Sequence, residues 1–149
     1  MIAEHAADLL AKIRTVTALA SATSMTIGGR SSDPGMVKIP LPACWLTFAR
    51  DDNDVQSYER GEPSGLVGPC TVLGTYALTV MLPYVSEDDL LTVQFPTLEA
   101  IVNAVHGTAA PGGFQWRFLR QVISNVYPDR LAYEQRYTAS YIHQPAIVP

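Results

Sequence analysis

Asp129-Arg130-Leu131-Ala132-Tyr133-Glu134-Gln135-Arg136-Tyr137-Thr138-Ala139-Ser140-Tyr141-Ile142 is the stretch on which the fold turns. Leu131, Tyr133, Tyr137 and Tyr141 fall on one side of an extended chain, and Arg130, Glu134, Arg136, Thr138 and Ser140 on the other. Side chains alternate across a strand, and aromatic residues suit its pleated surface. Residues 130–142 therefore read as a strand with a tyrosine-rich core face and a solvated, charged face. Tyr127-Pro128-Asp129 before it is a tight turn. Phe114 to Val126 alternates as well, with Phe114, Trp116, Phe118, Arg120 and Val122 against Gln115, Arg117, Leu119, Gln121 and Ile123. The two runs predict a C-terminal hairpin.

Toward the N-terminus, Thr71 to Leu82 predicts another strand, with Tyr76, Leu78, Val80 and Leu82 opposite Thr75, Ala77, Thr79 and Met81. Ala43 to Arg50 predicts a further one, introduced by Pro40 and Pro42. Between them, Asp51 to Pro69 reads as a long acidic loop. Ile2, Ala6, Leu9, Leu10, Ile13, Val16 and Ala20 recur at helical steps, so residues 2–20 predict an amphipathic helix. Ser86 is a suitable N-cap with Glu87, Asp88 and Asp89 after it. Pro96 divides the second helical segment into a short turn from Ser86 and a helix from about Pro96 to His106, stopped by Gly107. Gly28-Gly29 and Ser31 to Gly35 mark turns, and Gln144 to Pro149 reads as a flexible tail. The order predicts one α+β domain over 1–143: an antiparallel or mixed β-sheet of about four or more strands, with an N-terminal helix and a second helix packed on it.

The chain has 149 residues, enough for a hydrophobic core without staples. Charged residues make up only 16%, against about 25% in a typical soluble domain. Either the surface is unusually rich in uncharged polar residues, or part of it is covered by partners. The net charge of −4 argues against binding DNA through a broad basic face. Eight arginines stand against two lysines, Lys12 and Lys38. Arginine is favoured at protein interfaces, and a GC-rich coding sequence produces the same bias.

Cys44 and Cys70 have no C-x-x-C spacing and no neighbouring His, so no zinc site is expected and the thiols read as free in a reducing cytosol. Glu4 and Asp8 interrupt the N-terminal apolar run, so no signal peptide is expected. The apolar stretch Val72 to Val85 is too short to span a bilayer. No phosphate cradle, no G-x-S-x-G elbow and no acid–base pairing of His5, His106 or His143 is readable. Asp52-x-Asp54-x-Gln56 begins like a calcium loop, but Ser57 and Pro63 stand where its Gly and Glu are required. No enzyme, no cofactor and no metal is expected.

The charges are unevenly placed. Asp51, Asp52, Asp54, Glu59 and Glu62 face only Arg60 in their segment, a net −4. Arg117, Arg120, Arg130 and Arg136 face Asp129 and Glu134 in the C-terminal segment, a net +2. Unlike patches on one chain suit head-to-tail contacts between copies, which close into rings. These nine residues, the five acids and the four arginines, are the expected contact between subunits or with a partner.

The layout resembles the tail terminator (tail completion) proteins of tailed bacteriophages. The resemblance lies in the order helix, strand, long loop, strand, helix, hairpin, and most of all in the hairpin ending in residues 129–141. It implies a hexameric ring that caps the head-proximal end of the tail, ends tube growth and joins the head connector. Implied partners are the tail tube protein, the sheath protein of a sheathed tail and the head-side connector. The genome would pass through the lumen without specific binding, and the protein would reside in the virion after assembly in the host cytoplasm. Pro96 and the length of the 51–69 loop have no place in that pattern. A head-completion or neck connector protein is the alternative within virion assembly. A small cytosolic ligand-binding or enzymatic α+β domain is the alternative outside it.

Overall fold

A computed structural model of the chain describes residues 1–20, 24–27, 40–53 and 69–143, with 24–27 and 53 as backbone. The expected turns at 28–29 and 31–35, most of the acidic loop and the 144–149 tail lie outside the described residues.

Five strands form one mixed sheet in the order β1-β2-β3-β5-β4. They are β1 (Ser24–Ile27), β2 (Ala43–Asn53), β3 (Cys70–Pro83), β4 (Arg117–Tyr127) and β5 (Arg130–His143). β1 runs parallel to β2, and every other pairing is antiparallel. Helices α1 (Ile2–Ile13) and α2 (Phe95–Val105) pack on one face of the sheet. The α+β architecture is as the sequence predicts. The parallel strand β1 is an addition.

The N-terminal helix is shorter than its apolar period. His5, Ala6, Leu9, Leu10 and Ile13 are buried, but helix α1 stops at Ile13. Val16 is extended (φ −70°, ψ 121°), and Thr17–Leu19 form a separate short turn that still buries Leu19. Thr15, Val16 and Thr17 are β-branched, which weakens helix propagation, and the Thr15 hydroxyl caps the Lys12 carbonyl at 2.6 Å.

The second helical segment is not divided into two pieces at Pro96 as expected: it runs unbroken from 88 to 105 and only changes type just before the proline. A π turn, Leu90–Gln94, leads directly into α2, with Pro96 in its first turn. The wider turn accommodates a ring that would strike the carbonyl four residues back in a regular helix. Ser86 does not cap it. The Asp89 carboxylate accepts instead from the amides of Val85 (2.8 Å) and Ser86 (3.1 Å). Helix α2 ends before Gly107, whose φ of +79° glycine adopts freely.

The core lies between sheet and helices. Leu9, Ile13, Leu46, Leu78, Leu98 and Ile101 are almost wholly buried there. Burying each such side chain contributes about 1.5–3 kcal/mol. Beneath α2 the core carries two fully buried glutamines. Tyr133 donates to Gln94 Oε1 (2.6 Å), and Gln94 Nε2 donates to the Pro83 carbonyl (2.7 Å). Tyr137 donates to Gln135 Oε1 (2.7 Å), while Gln135 Nε2 serves the Leu98 carbonyl and Gln121 Oε1. Satisfied buried polar groups fix geometry, because each misplacement costs a hydrogen bond. They set the position of α2 over β5 and β4.

Candidate assembly surface

Strand β4 is the sheet's edge next to the buried β5. Its alternation differs from the sequence expectation because of two bulges, at Leu119 and at Ser124. Residues directly opposite in a pair share a face. Phe118 faces Tyr137, Gln121 faces Gln135, Ile123 faces Tyr133 and Val126 faces Leu131, so these four lie on the helix side. Arg117, Arg120, Val122, Asn125 and Tyr127 lie on the other. A half-solvated strand buries one face, whereas β4 is exposed along nearly its whole length on both. Leu119 is 54% exposed, Ile123 58% and Val126 71%. Between β4 and α2, on the helix side of the sheet, runs an open groove lined by Phe95, Leu98, Val102 and Phe118 and by the polar Glu99, Asn103 and Gln121.

The predicted interface residues divide into three groups. Arg117 and Arg120 stand exposed on β4. Arg117 has no ion pair among the described residues, and Arg120 reaches Glu134 only at 3.8 Å. Arg130 and Arg136 are paired within the chain. Arg130 grips Asp129 with two bonds of 2.9 Å, and Arg136 meets Glu134 at 2.7 Å. The guanidinium beside Asp129 holds that carboxyl below its ordinary range. The charged side of β5 is thus half-buried rather than solvated, because β5 runs between two strands.

The acids form the third group. Strand β2 runs on through Asp51 and Asp52 to Asn53, so these two belong to a strand rather than to the loop. A bulge between Phe48 and Arg50 shifts the register. It places Asp51 opposite Gly74, where its carboxylate accepts from the Tyr141 hydroxyl at 2.9 Å. A β-carbon on Gly74 would meet Asp51 Oδ1 at 3.1 Å and the Tyr76 ring at 3.2 Å. Asp52 pairs with Arg50 at 2.8 Å on the surface. Asp54, Glu59 and Glu62 lie outside the described residues.

The remaining candidate for chemistry is His5, fully buried where α1 meets the sheet. Its Nε2 lies 2.7 Å from the Pro111 carbonyl, which only accepts, so Nε2 carries the proton. Nδ1 then accepts from the Tyr76 hydroxyl at 3.1 Å. Tyr76, Trp116 and Tyr141 ring the imidazole edge-on, with centroids 5.3–5.8 Å away. Trp116 donates to Asp8 at 2.8 Å, and Asp8 also binds Lys12. Burial raises the Tyr76 and Tyr141 phenols, and the nearby Asp51 raises them further; Tyr141 reaches about 12. Both ring nitrogens of His5 are engaged, so the cluster works as a lock joining α1, β3 and the 107–116 loop. His106, at the end of α2, likewise accepts from the Phe118 amide at 3.0 Å. Among the described residues no group of three or more His, Cys, Asp or Glu is placed to hold a metal, and no helix is long and apolar enough to cross a membrane.

The fold has a counterpart in a chain of a solved assembly. The chain is similar to a chain in the virion of the native gene transfer agent (GTA) particle. The likeness has a TM-score of 0.53 at 14% identity and covers 91% of this chain and 92% of that one. No family model matches the sequence, and no curated protein does either.

Proposed function

We propose that this chain is a structural protein of a phage-like virion that acts by assembly rather than catalysis. Its copies form a ring, six in the reading taken from tail terminators, that caps the head-proximal end of the tail. The ring stops tube growth by occupying the last tube ring and presents its other side to the head connector. The observation that carries this reading is β4, an eleven-residue edge strand exposed on both faces. A lone domain gains nothing by holding Leu119, Ile123 and Val126 in water, whereas a ring subunit covers them with its neighbour. Two things support it: the shared fold with a virion chain over nearly its full length, and the engagement of His5 and His106 in structural hydrogen bonds. The scarcity of charge, 16% of residues, fits a surface that partners cover.

Negative-stain imaging and native mass spectrometry of the protein, alone and with tail tubes, test the ring. The expected result is a closed ring, and a chain that stays monomeric in both settings refutes it. Disrupting the gene in the parent particle separates terminator from connector. Overlong tails are expected, while filled heads without tails would place the protein on the head side.

A further inference from the structure

We propose that the face of β4 turned away from the helices is the seat for a second copy of this chain, and that the seated part is the segment Val85 to Leu91 of that copy. The proposal rests on the ring reading and names its contact. The seat offers Val122, 42% exposed, on the same face as two exposed guanidiniums, while the groove lined by Phe95, Phe118 and Glu99 opens on the other face of the strand. Arg117 has no ion pair among the described residues, and Arg120 shares Glu134 with Arg136, which holds it at 2.7 Å. The Val85–Leu91 segment offers the complement. Val85 is 88% exposed and Leu91 71%, and between them Glu87 and Asp88 are exposed carboxylates with no ion pair among the described residues. Asp89 is already bound to the amides of Val85 and Ser86, so the segment is a preformed knob rather than a free loop.

Position makes the contact intermolecular. The knob comes after Tyr84, whose amide donates to the Asp129 carbonyl at the β4–β5 turn. The arginines sit toward the opposite end of β4, about 20–30 Å away at about 3.3 Å per residue. One copy therefore carries seat and knob at separate places and cannot satisfy itself. A twofold pairing of seats would set arginine on arginine, which disfavours it; seat on knob is a heterologous contact of the kind that closes into rings. Strand addition is the less suitable mode. The bulges at Leu119 and Ser124 leave only Arg120 to Ile123 as regular edge, and bulges blunt edge pairing.

Charge reversal on the full chain tests the contact, with oligomer size read by native mass spectrometry and sedimentation, and folding by circular dichroism. Arg117→Glu with Arg120→Glu, and separately Glu87→Arg with Asp88→Arg, are each expected to raise the half-assembly concentration about a hundredfold or more, because like charges are then juxtaposed. An equimolar mixture of the two variants restores opposite charges at every contact and is expected to reassemble, as is the chain carrying all four changes. The proposal is overturned if the Glu87/Asp88 variant assembles like the wild type, or if two folded variants fail to rescue each other. It is also overturned if rescue of the arginine variant comes instead from reversing Asp54, Glu59 and Glu62. A wild-type chain that never assembles refutes the ring reading itself, and the contact with it.

Discussion

Removing the His5 imidazole tests the claim that it is a lock and not a spare catalytic group. His5→Leu keeps the volume and takes away both hydrogen bonds. The Tyr76 hydroxyl loses its acceptor and the Pro111 carbonyl its donor, both in the interior. An orphaned buried polar group costs about 1–3 kcal/mol, so with two of them the variant loses about 2–6 kcal/mol. For a chain of this size that lowers Tm by about 2–4 °C per kcal/mol. Tyr76→Phe orphans only His5 Nδ1 and costs about 1–3 kcal/mol. In the double variant neither member of that pair remains, and only Pro111 is left unsatisfied. Its loss is therefore smaller than the sum of the single losses by about 2–6 kcal/mol, the cost of the two groups no longer orphaned. Urea unfolding at one fixed protein concentration measures the cycle; the folded Arg117/Arg120 variant serves as background, so that assembly does not add to stability. Additivity within about 0.5 kcal/mol would refute the lock.

The same geometry gives three further expected outcomes. Trp116→Phe removes a bond to the Asp8 carboxylate (2.8 Å) and is expected to cost about 1.5–3 kcal/mol in urea unfolding. Gly107→Ala meets no atom within 4 Å, so its cost is backbone strain alone at φ +79°, about 1 kcal/mol, and Gly107→Asn recovers part of it. In alkali, burial favours the neutral Cys44 thiol, shifted from 9.0 to about 11, and the neutral Tyr141 phenol, shifted from 10.0 to about 12. The unfolded chain releases these protons first, so stability is full below pH 9 and falls as pH climbs from there to 12. Phenolate absorbance is expected to rise late for Tyr141, and earlier in Asp51→Asn, which removes its charged neighbour.

Which parts of this molecule the sequence discloses depends on how local their causes are. The tyrosine face of β5, the strand Cys70–Pro83 and the irregularity just before Pro96 all follow from the period of apolar residues or from one ring's geometry. Strand β1 spans four residues, too few for any period to register, and it exists because β2 offers an edge. The capping role of Asp89 rather than Ser86 is a choice between two adequate oxygens, made by how Tyr84 leaves the sheet. Gln94 and Gln135 look like surface residues until α2 and β5 meet across them.

Bulges account for the misread side chains at the candidate site, and they do so because each inserted residue reverses the side to which its successors point. Without the bulge after Phe48, Asp51 would share the face of Trp45, away from α1. With it, Asp51 turns inward, where its Oδ2 accepts from the Tyr141 hydroxyl. Without the bulge at Leu119, Arg117 and Leu119 would share one face, with Phe118 and Arg120 on the other. With it, Phe118 floors the groove while Arg117 and Arg120 stand together on the opposite side. A binary pattern written for a perfect strand thus assigns Asp51 to an outward acidic patch and scatters the two arginines across two faces. The real register gathers the arginines onto one face with Val122 and leaves Phe118 to the groove on the other. That gathering gives an edge strand with no helix over its outer side the combination of charge and apolar surface that a second copy of the chain can recognise.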